Sequence, residues 1–360
     1  MTRPLNALVA MTVAVGASAS AYAQSVCNLP ERTIAARSVA DIDSGAINAC
    51  LEANVPGLSG DYDTIRQARQ AILTPLRASD VSLTFRLSYS DALRQRLSPL
   101  VRNANVDIAL NALRIAGELG TTDGANICIQ ALEDQRAAVR MMAVSGLART
   151  FGILQTTATI QPQQFSAIEG RLSQALKNEQ DPEVLDGFAM AYEAAMQIPE
   201  NLVADARNIA LRSAATRFGE ITRAKEMNGE KIPALLRASN ATLTTLRGLV
   251  GNRPPNDALI ESAGFGGDLL AYTLRRLRSG EVNETERAQL AVLVGQAQNL
   301  VSVTFALVGG QGSKSYRLDA LVRESNDQQF YRDVLNVVGG EGDLVKAPFN
   351  LPRNRFIPAP

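Results

Sequence analysis

Between Asn103 and Gly152 the chain carries apolar stripes on more than one side of its helices, and this limits how it can fold. Val106, Ala109, Leu110, Leu113 and Ala116 mark one stripe, while Ile108, Ala112, Ile115 and Leu119 mark a second. A helix apolar on two sides has to be covered on two sides. After a break at 121–124 the pattern returns in Val139, Ala143, Leu147 and Phe151. Gly120 and Gly152 are expected to close the two helices, about 32 residues apart. Stacked helical hairpins, each covering the next, meet that demand. Such arrays more often bind partners than transform them, so the pattern constrains shape more than chemistry.

The first 23 residues read as a secretory signal. Arg3 supplies the positive start, residues 5–15 an apolar core, and Ala21-Tyr22-Ala23 a small-x-small cleavage site before Gln24. The apolar run falls short of the roughly 20 residues that a bilayer span needs. No Cys follows the site directly, so a lipoprotein signal is not indicated, and the expectation is a soluble protein exported to the periplasm or secreted. Export makes the cysteines interpretable: Cys27 and Cys50 are placed for a disulfide in an oxidising compartment. Cys128, inside Ile127-Cys128-Ile129, reads as a small core residue.

Composition excludes several kinds of chemistry. The chain has no His and no Trp. Absence of His removes the commonest metal ligand and the commonest general base near neutral pH. Three widely spaced cysteines cannot form the usual four-ligand zinc site. Lys plus Arg and Asp plus Glu number 36 each, and the signal removes a single Arg. A near-neutral chain has no electrostatic footprint for nucleic acid. No cofactor is expected.

Helices are predicted along most of the remaining chain. A cysteine-bearing cap covers 24–80, with short helices near 34–39 and 46–51 and a helix over 61–79 that Pro75 weakens. Val81, Leu83, Phe85, Leu87 and Tyr89 alternate with polar residues as a strand would, and Val301-Ser-Val-Thr-Phe305 nearly repeats the first five positions. Ser and Thr are also common in helices, and we read both segments as helical. Helices are then expected over 90–102, 104–119, 125–133, 137–151, 163–178, 182–197, 201–217 and 231–250. Punctuation at 252–256 marks the best internal boundary, dividing a repeat region at 81–252 from a C-terminal helical segment at 256–345. There, helices are expected over 258–278, 284–308, 318–323 and 328–338. Gln296, Gln298 and Asn299 argue against a membrane span in the apolar run 290–308.

The stretch Asp134-Gln-Arg-Ala-Ala-Val139-Arg140, followed by Ala143, Val144 and Leu147, resembles the inter-helix turn and second helix of a HEAT repeat. In that family an Asp in the turn and a basic residue six positions later form a ladder of polar contacts between units. The resemblance gives those positions to Asp134 and Arg140 and the buried one to Val139. The following unit keeps Val184 and the Asp181-Pro182 turn but has Leu185 at the basic position, and the preceding unit has Val106 followed by Asp107. The likeness spans residues 90–217. It implies an all-α, curved α-helical solenoid that presents a long surface.

Glu261-Ser262 resembles the Glu-Ser motif of lytic transglycosylases, where the Glu acts as general acid and base on peptidoglycan. The Gly-Leu-Met-Gln segment of that family is missing downstream. Gly309-Gly-Gln-Gly-Ser-Lys314 lacks the Gly required directly before the Lys of a phosphate loop. Those glycines, and Gly339, Gly340 and Gly342, are read as left-handed caps and turns. Arg275, Arg276 and Arg278 read as a solvated helix end. The Asn240 and Asn283 sequons matter only in a glycosylating host. The tail 346–360 combines prolines with Phe349 and Phe356, which fits docking on the protein's own helices first, or on another protein, better than disorder.

The sequence therefore points to a non-catalytic, exported scaffold or adaptor that binds a protein or cell-envelope component. Arg114, Glu118, Arg140 and Arg149 are the candidate binding residues, and Asp134, Cys27 and Cys50 the structural ones. Two alternatives stand beside it: a peptidoglycan-active enzyme using Glu261, and a carrier of apolar ligands with a closed cavity among its helices.

Overall fold

The computed structural model describes residues 27–224, 229–249, 253–280, 282–309 and 315–356. The expected export signal at 1–23 and residues 310–314 of the glycine-rich stretch lie outside them. Every regular element among the described residues is helical. In chain order the α-helices are α1 (Glu31–Ile34), α2 (Ser44–Asn54), α3 (Tyr62–Leu73), α4 (Leu83–Val101) and α5 (Val106–Leu119). Next come α6 (Thr122–Ala131), α7 (Ala137–Leu154), α8 (Pro162–Asn178), α9 (Pro182–Ala195) and α10 (Ala206–Arg223). The last five are α11 (Ile232–Gly248), α12 (Asn256–Arg278), α13 (Glu284–Leu307), α14 (Leu318–Arg323) and α15 (Asp327–Val338).

The helices pack in sequence as two layers. One layer runs α3, α5, α7, α9, α11, α13, each against the next; the other runs α4, α6, α8, α10, α12, with α15 closing on α12. This is the packing of a helical solenoid, and it explains the two-sided apolar pattern. Ile115 of α5 and Val144 of α7, each fully buried, belong to helices with a layer neighbour on both sides. Both layers continue across the turn at 253–255, since α10 packs on α12 and α11 on α13.

Local sequence sets the boundaries. The side chains of Asp61, Ser82, Asn105, Thr121 and Asp181 each accept a first-turn backbone N–H, capping α3, α4, α5, α6 and α9. Residues 83–89 are helical because Ser82 starts the helix and Phe85, Tyr89, Leu93 and Leu97 then fall on one buried face. Val301 lies inside α13. Gly120 closes α5 in the left-handed region at φ 63°. Gly152 does not close its helix, because α7 continues to Leu154. Among the later glycines, Gly309 is left-handed, at φ 84°. Gly339 is not, having φ −68°.

Two glycines let the first layer close up. A Cβ on Gly117 of α5 would lie 2.5 Å from the Gly146 Cα of α7, and one on Gly146 would lie 2.6 Å from the Cys128 Sγ of α6. Backbone therefore meets backbone between α5 and α7. Burial pushes the Cys128 thiol up to about 12, leaving it an inert filler. At the N-terminal end Cys27 and Cys50 are bonded, with their Cα atoms 5.2 Å apart. The hydroxyl of Tyr89 sits beside both sulfurs and donates to the Ile72 carbonyl at 2.8 Å.

Helix α12 is the centre of the C-terminal half. It is buried without a break from residue 262 to 274, between α10, α13 and α15. Of the three arginines at its end Arg278 is exposed, as a solvated helix end would be, but Arg275 and Arg276 are not. Arg276 is buried and donates to Glu286 at 3.0 Å, Arg275 donates to the Thr222 carbonyl, and Arg278 stacks 3.9 Å above the Tyr331 ring. Helices α7 and α13 are long and apolar enough to cross a membrane by length and composition. Here both are packed in the array, where Gln298 of α13 binds Asp319 and the Leu318 N–H.

Two glycine substitutions of opposite sign check this packing. Gly117→Ala forces α5 from α7 and should lower unfolding free energy by about 1–3 kcal/mol despite the helix-propensity gain. Gly170→Ala, in α8 with nothing within 4 Å of the new methyl, should raise it by about 0.5–1 kcal/mol. Urea titrations of the two variants measure both.

Candidate functional site

Arg114 and Glu118 lie on α5 and Arg140 and Arg149 on α7, so the direct contact of these helices puts all four on one layer. Glu118 and Arg149 meet: Arg149 Nε donates to Glu118 Oε2 at 3.0 Å, with the Arg149 side chain 61% exposed. Behind them Arg86 of α4 donates to the Glu118 and Leu119 carbonyls at 3.0 and 2.9 Å, serving the last turn of α5 where intrahelical donors run out. Burial holds the Arg86 guanidinium below its ordinary pKa. Arg114 is exposed and apart from this pair. Its near charge is Arg69 of α3, which donates to Asn111 and whose pKa is lowered by burial and then by Arg114. This corner is cationic.

The Asp134–Arg140 contact implied by the repeat spacing does not form between side chains. Arg136, in the same turn, takes the Asp134 carboxylate with both arms of its fork at 2.8 Å, and that bond lowers the carboxyl pKa. Arg136 also donates to the Asn103 carbonyl of the preceding unit at 2.8 Å. Arg140 donates to the backbone carbonyls of Asp134 and Gln135, then reaches forward to Glu179 with bonds of 2.7 and 3.0 Å. Glu179, with its side chain 6% exposed, also accepts the Gln180 and Asp181 N–H groups at 2.9 Å. A ladder between units thus exists, but its rungs are Arg136 backward and Arg140 forward. The spacing that reveals the second rung is 39 residues, not six.

On one side of α7, Ala138, Met142 and Ser145 are exposed or half-buried in line with Arg149, while Arg140 lies on the other side of the helix. Arg140 and Arg149, the charged residues of α7, are each engaged by a carboxylate of a neighbouring unit. The centre of this face is therefore neutral and partly apolar, with Arg114, Arg69 and Asn111 at one edge.

Glu261 takes part in a different structure. It is half-buried on α12 and accepts from Arg355 Nη2 of the tail at 3.1 Å. The same guanidinium binds Asp268 Oδ2 at 3.0 Å, and Arg223 of α10 donates to that oxygen at 2.6 Å. Asp268 is fully buried and its Oδ1 has no partner; burial pushes its carboxyl above the ordinary value, against the pull of both arginines. A Cβ on Gly264 would lie 2.5 Å from the Arg355 guanidinium, so glycine is what admits it. Arg275 fixes the Phe356 carbonyl at 3.2 Å, and Phe349, Leu351 and Phe356 are buried. The tail docks on its own helices, and Glu261 is one of its anchors. Sequence reading missed Asp268 and Arg355, whose 87-residue separation leaves no local signal. Among the described residues no three His, Cys, Asp or Glu side chains come together as a metal would need.

No protein-family model matches the chain, and no curated protein matches it. Among solved structures it is similar to the crystal structure of an engineered protein, at 13% identity over 88% of this chain and 89% of that one, with a TM-score of 0.30. The fold class rests on the packing order of the helices.

The two ion pairs of α7 should differ in worth. Arg140→Ala leaves Glu179 covered and unpaired, and should lower stability by about 2–3 kcal/mol, whereas Arg149→Ala should change it by about 0.5 kcal/mol or less. A double-mutant cycle with Glu179→Gln isolates the first pair. At the tail, Phe356→Ala empties a buried site and should cost about 3 kcal/mol. Deleting residues 348–360 should lower the melting temperature of the isolated protein, read by circular dichroism.

Proposed function

We propose that the protein is an exported, non-catalytic scaffold of HEAT-like type that holds a protein partner of the cell envelope on the α5–α7 face. One observation supports the reading above others: both arginines of α7 are already paired, so that the half-exposed strip of Ala138, Met142 and Ser145 carries no free charge. Protein interfaces favour such a centre, low in unpaired charge and enclosed by a polar rim, because little desolvation opposes docking. Met side chains adapt to varied partner shapes. Arg114, Glu118 and Arg149 supply the rim, where charge guides encounter more than it adds affinity.

Quantitative capture of envelope proteins by the mature chain tests the proposal, comparing wild type with Met142→Asp and Arg114→Glu. A stoichiometric partner should be retained by wild type and lost with Met142→Asp, while Arg114→Glu slows its association. Equal retention by all three, or no enrichment over an unrelated bait, overturns the assignment to this face. Cleavage of purified peptidoglycan that disappears in Glu261→Gln would replace the scaffold reading by an enzymatic one. Detection of the full-length, uncleaved chain in the cytoplasm would overturn export.

A further inference from the structure

Arg69 of α3 and Arg114 of α5 share a corner of the array with Arg77, which ends the short helical turn Thr74–Arg77 after α3. Arg69 Nη1 donates to the side-chain oxygen of Asn111, and Asn111 lies one turn before Arg114, so the contact of α3 with α5 brings the two arginines together. Arg77 and Arg114 are exposed and Arg69 is half-buried. Burial, then the like charges of Arg114, Arg77 and Arg66, hold the Arg69 guanidinium below its ordinary pKa, against the pull of Tyr62.

Among the described residues none of Arg69, Arg77 and Arg114 enters an ion pair. The acids of these helices are engaged or set back. Asp61 caps α3, Asp63 pairs with Arg66 at 3.6 Å, Glu118 is taken by Arg149, and the exposed Asp107 lies two turns before Arg114. Farther along the layer, Arg140, Arg237 and Arg287 each meet a carboxylate from another element. Like charges gathered without a counter-charge work against the folded state, a cost that functional sites carry.

We infer that the partner held on the α5–α7 face carries an acidic peptide segment, in extended conformation, that lies across Arg77, Arg69 and Arg114. The inference rests on the scaffold reading, whose partner it describes. Spacing favours a segment over a single small anion. Arg69 and Arg77 are eight residues apart, about 12 Å along the helix axis, and four residues of extended chain cover about the same distance. Carboxylates at alternate positions of such a segment share one face and suit the paired donors of guanidinium groups. A bilayer fits less well, because its broad anionic surface would also meet the exposed Asp61, Asp63 and Asp107.

Calorimetry with the mature chain tests the inference, using the blocked peptide Glu-Ala-Glu-Ala-Glu, its Gln-Ala-Gln-Ala-Gln counterpart, inorganic phosphate and phosphatidylglycerol vesicles as probes. The acidic peptide should bind at least tenfold more tightly than the neutral one, and more weakly as salt is raised. Arg77→Gln combined with Arg114→Gln should abolish the difference, with a melting temperature unchanged or raised because no ion pair is lost. Equal binding of the two peptides, unchanged affinity in the double variant, tighter binding of phosphate or vesicles, or a lowered melting temperature overturns the inference. Met142→Asp should leave peptide binding unchanged, which separates the two readings. Capture of a partner without preference for the acidic peptide overturns this inference alone, and acid preference without capture overturns the scaffold reading.

Discussion

A helix in the middle of a stack must touch one neighbour on each side within its layer, and the closest of these contacts sets the spacing of the rest. Here it is the meeting of Gly117 and Gly146, where backbone lies against backbone between α5 and α7. The reach of Arg149 to Glu118 belongs to the same contact, since Glu118 follows Gly117 and Arg149 is one turn beyond Gly146. Cys128 fills the remaining space from the other layer. The polar pairs of the surface are thus positioned by the absence of side chains beneath them.

Polar contacts divide into two kinds. Along the array, cationic side chains reach into neighbouring units: Arg136 to Asn103, Arg140 to Glu179, Lys231 to Gln180. The two arginines are partly exposed and Lys231 is buried, and all three hold the turns in register. At the C-terminal end, Asp268, Arg223 and Arg355 form a buried knot joining α10, α12 and the tail. Removing one member of a buried charge set strands the others, which makes such a knot more important for specifying one arrangement than for net stability.

The helices and their two-sided burial were legible in the sequence because both come from local periodicity and from caps such as Asp61 and Asp181. The disulfide pairing and the covered tail also follow from short-range signals, the cysteines and the two phenylalanines. The partners of the charged residues were not legible. Asp134 and Arg140 have the spacing of a repeat ladder, but Arg136 stands closer to the carboxylate, and no pattern in one sequence says which of two arginines will take it. Arg275 and Arg276 read as solvent-facing because nothing local reveals that Thr222 and Phe356 approach the first and Glu286 the second.

A stack of helices has two open ends, and each is an invitation to add another copy. Head-to-tail addition of that kind does not close and grows into filaments. In this chain the N-terminal segment is tied to α2 through Cys27 and Cys50, and the C-terminal segment folds back over α12 through Arg355 and Phe356. Both segments are therefore spent on covering their own helices. A proteolytic nick near residue 347 would free the segment that Arg355 and Phe356 hold against α12 and bare the apolar side of the array beneath it.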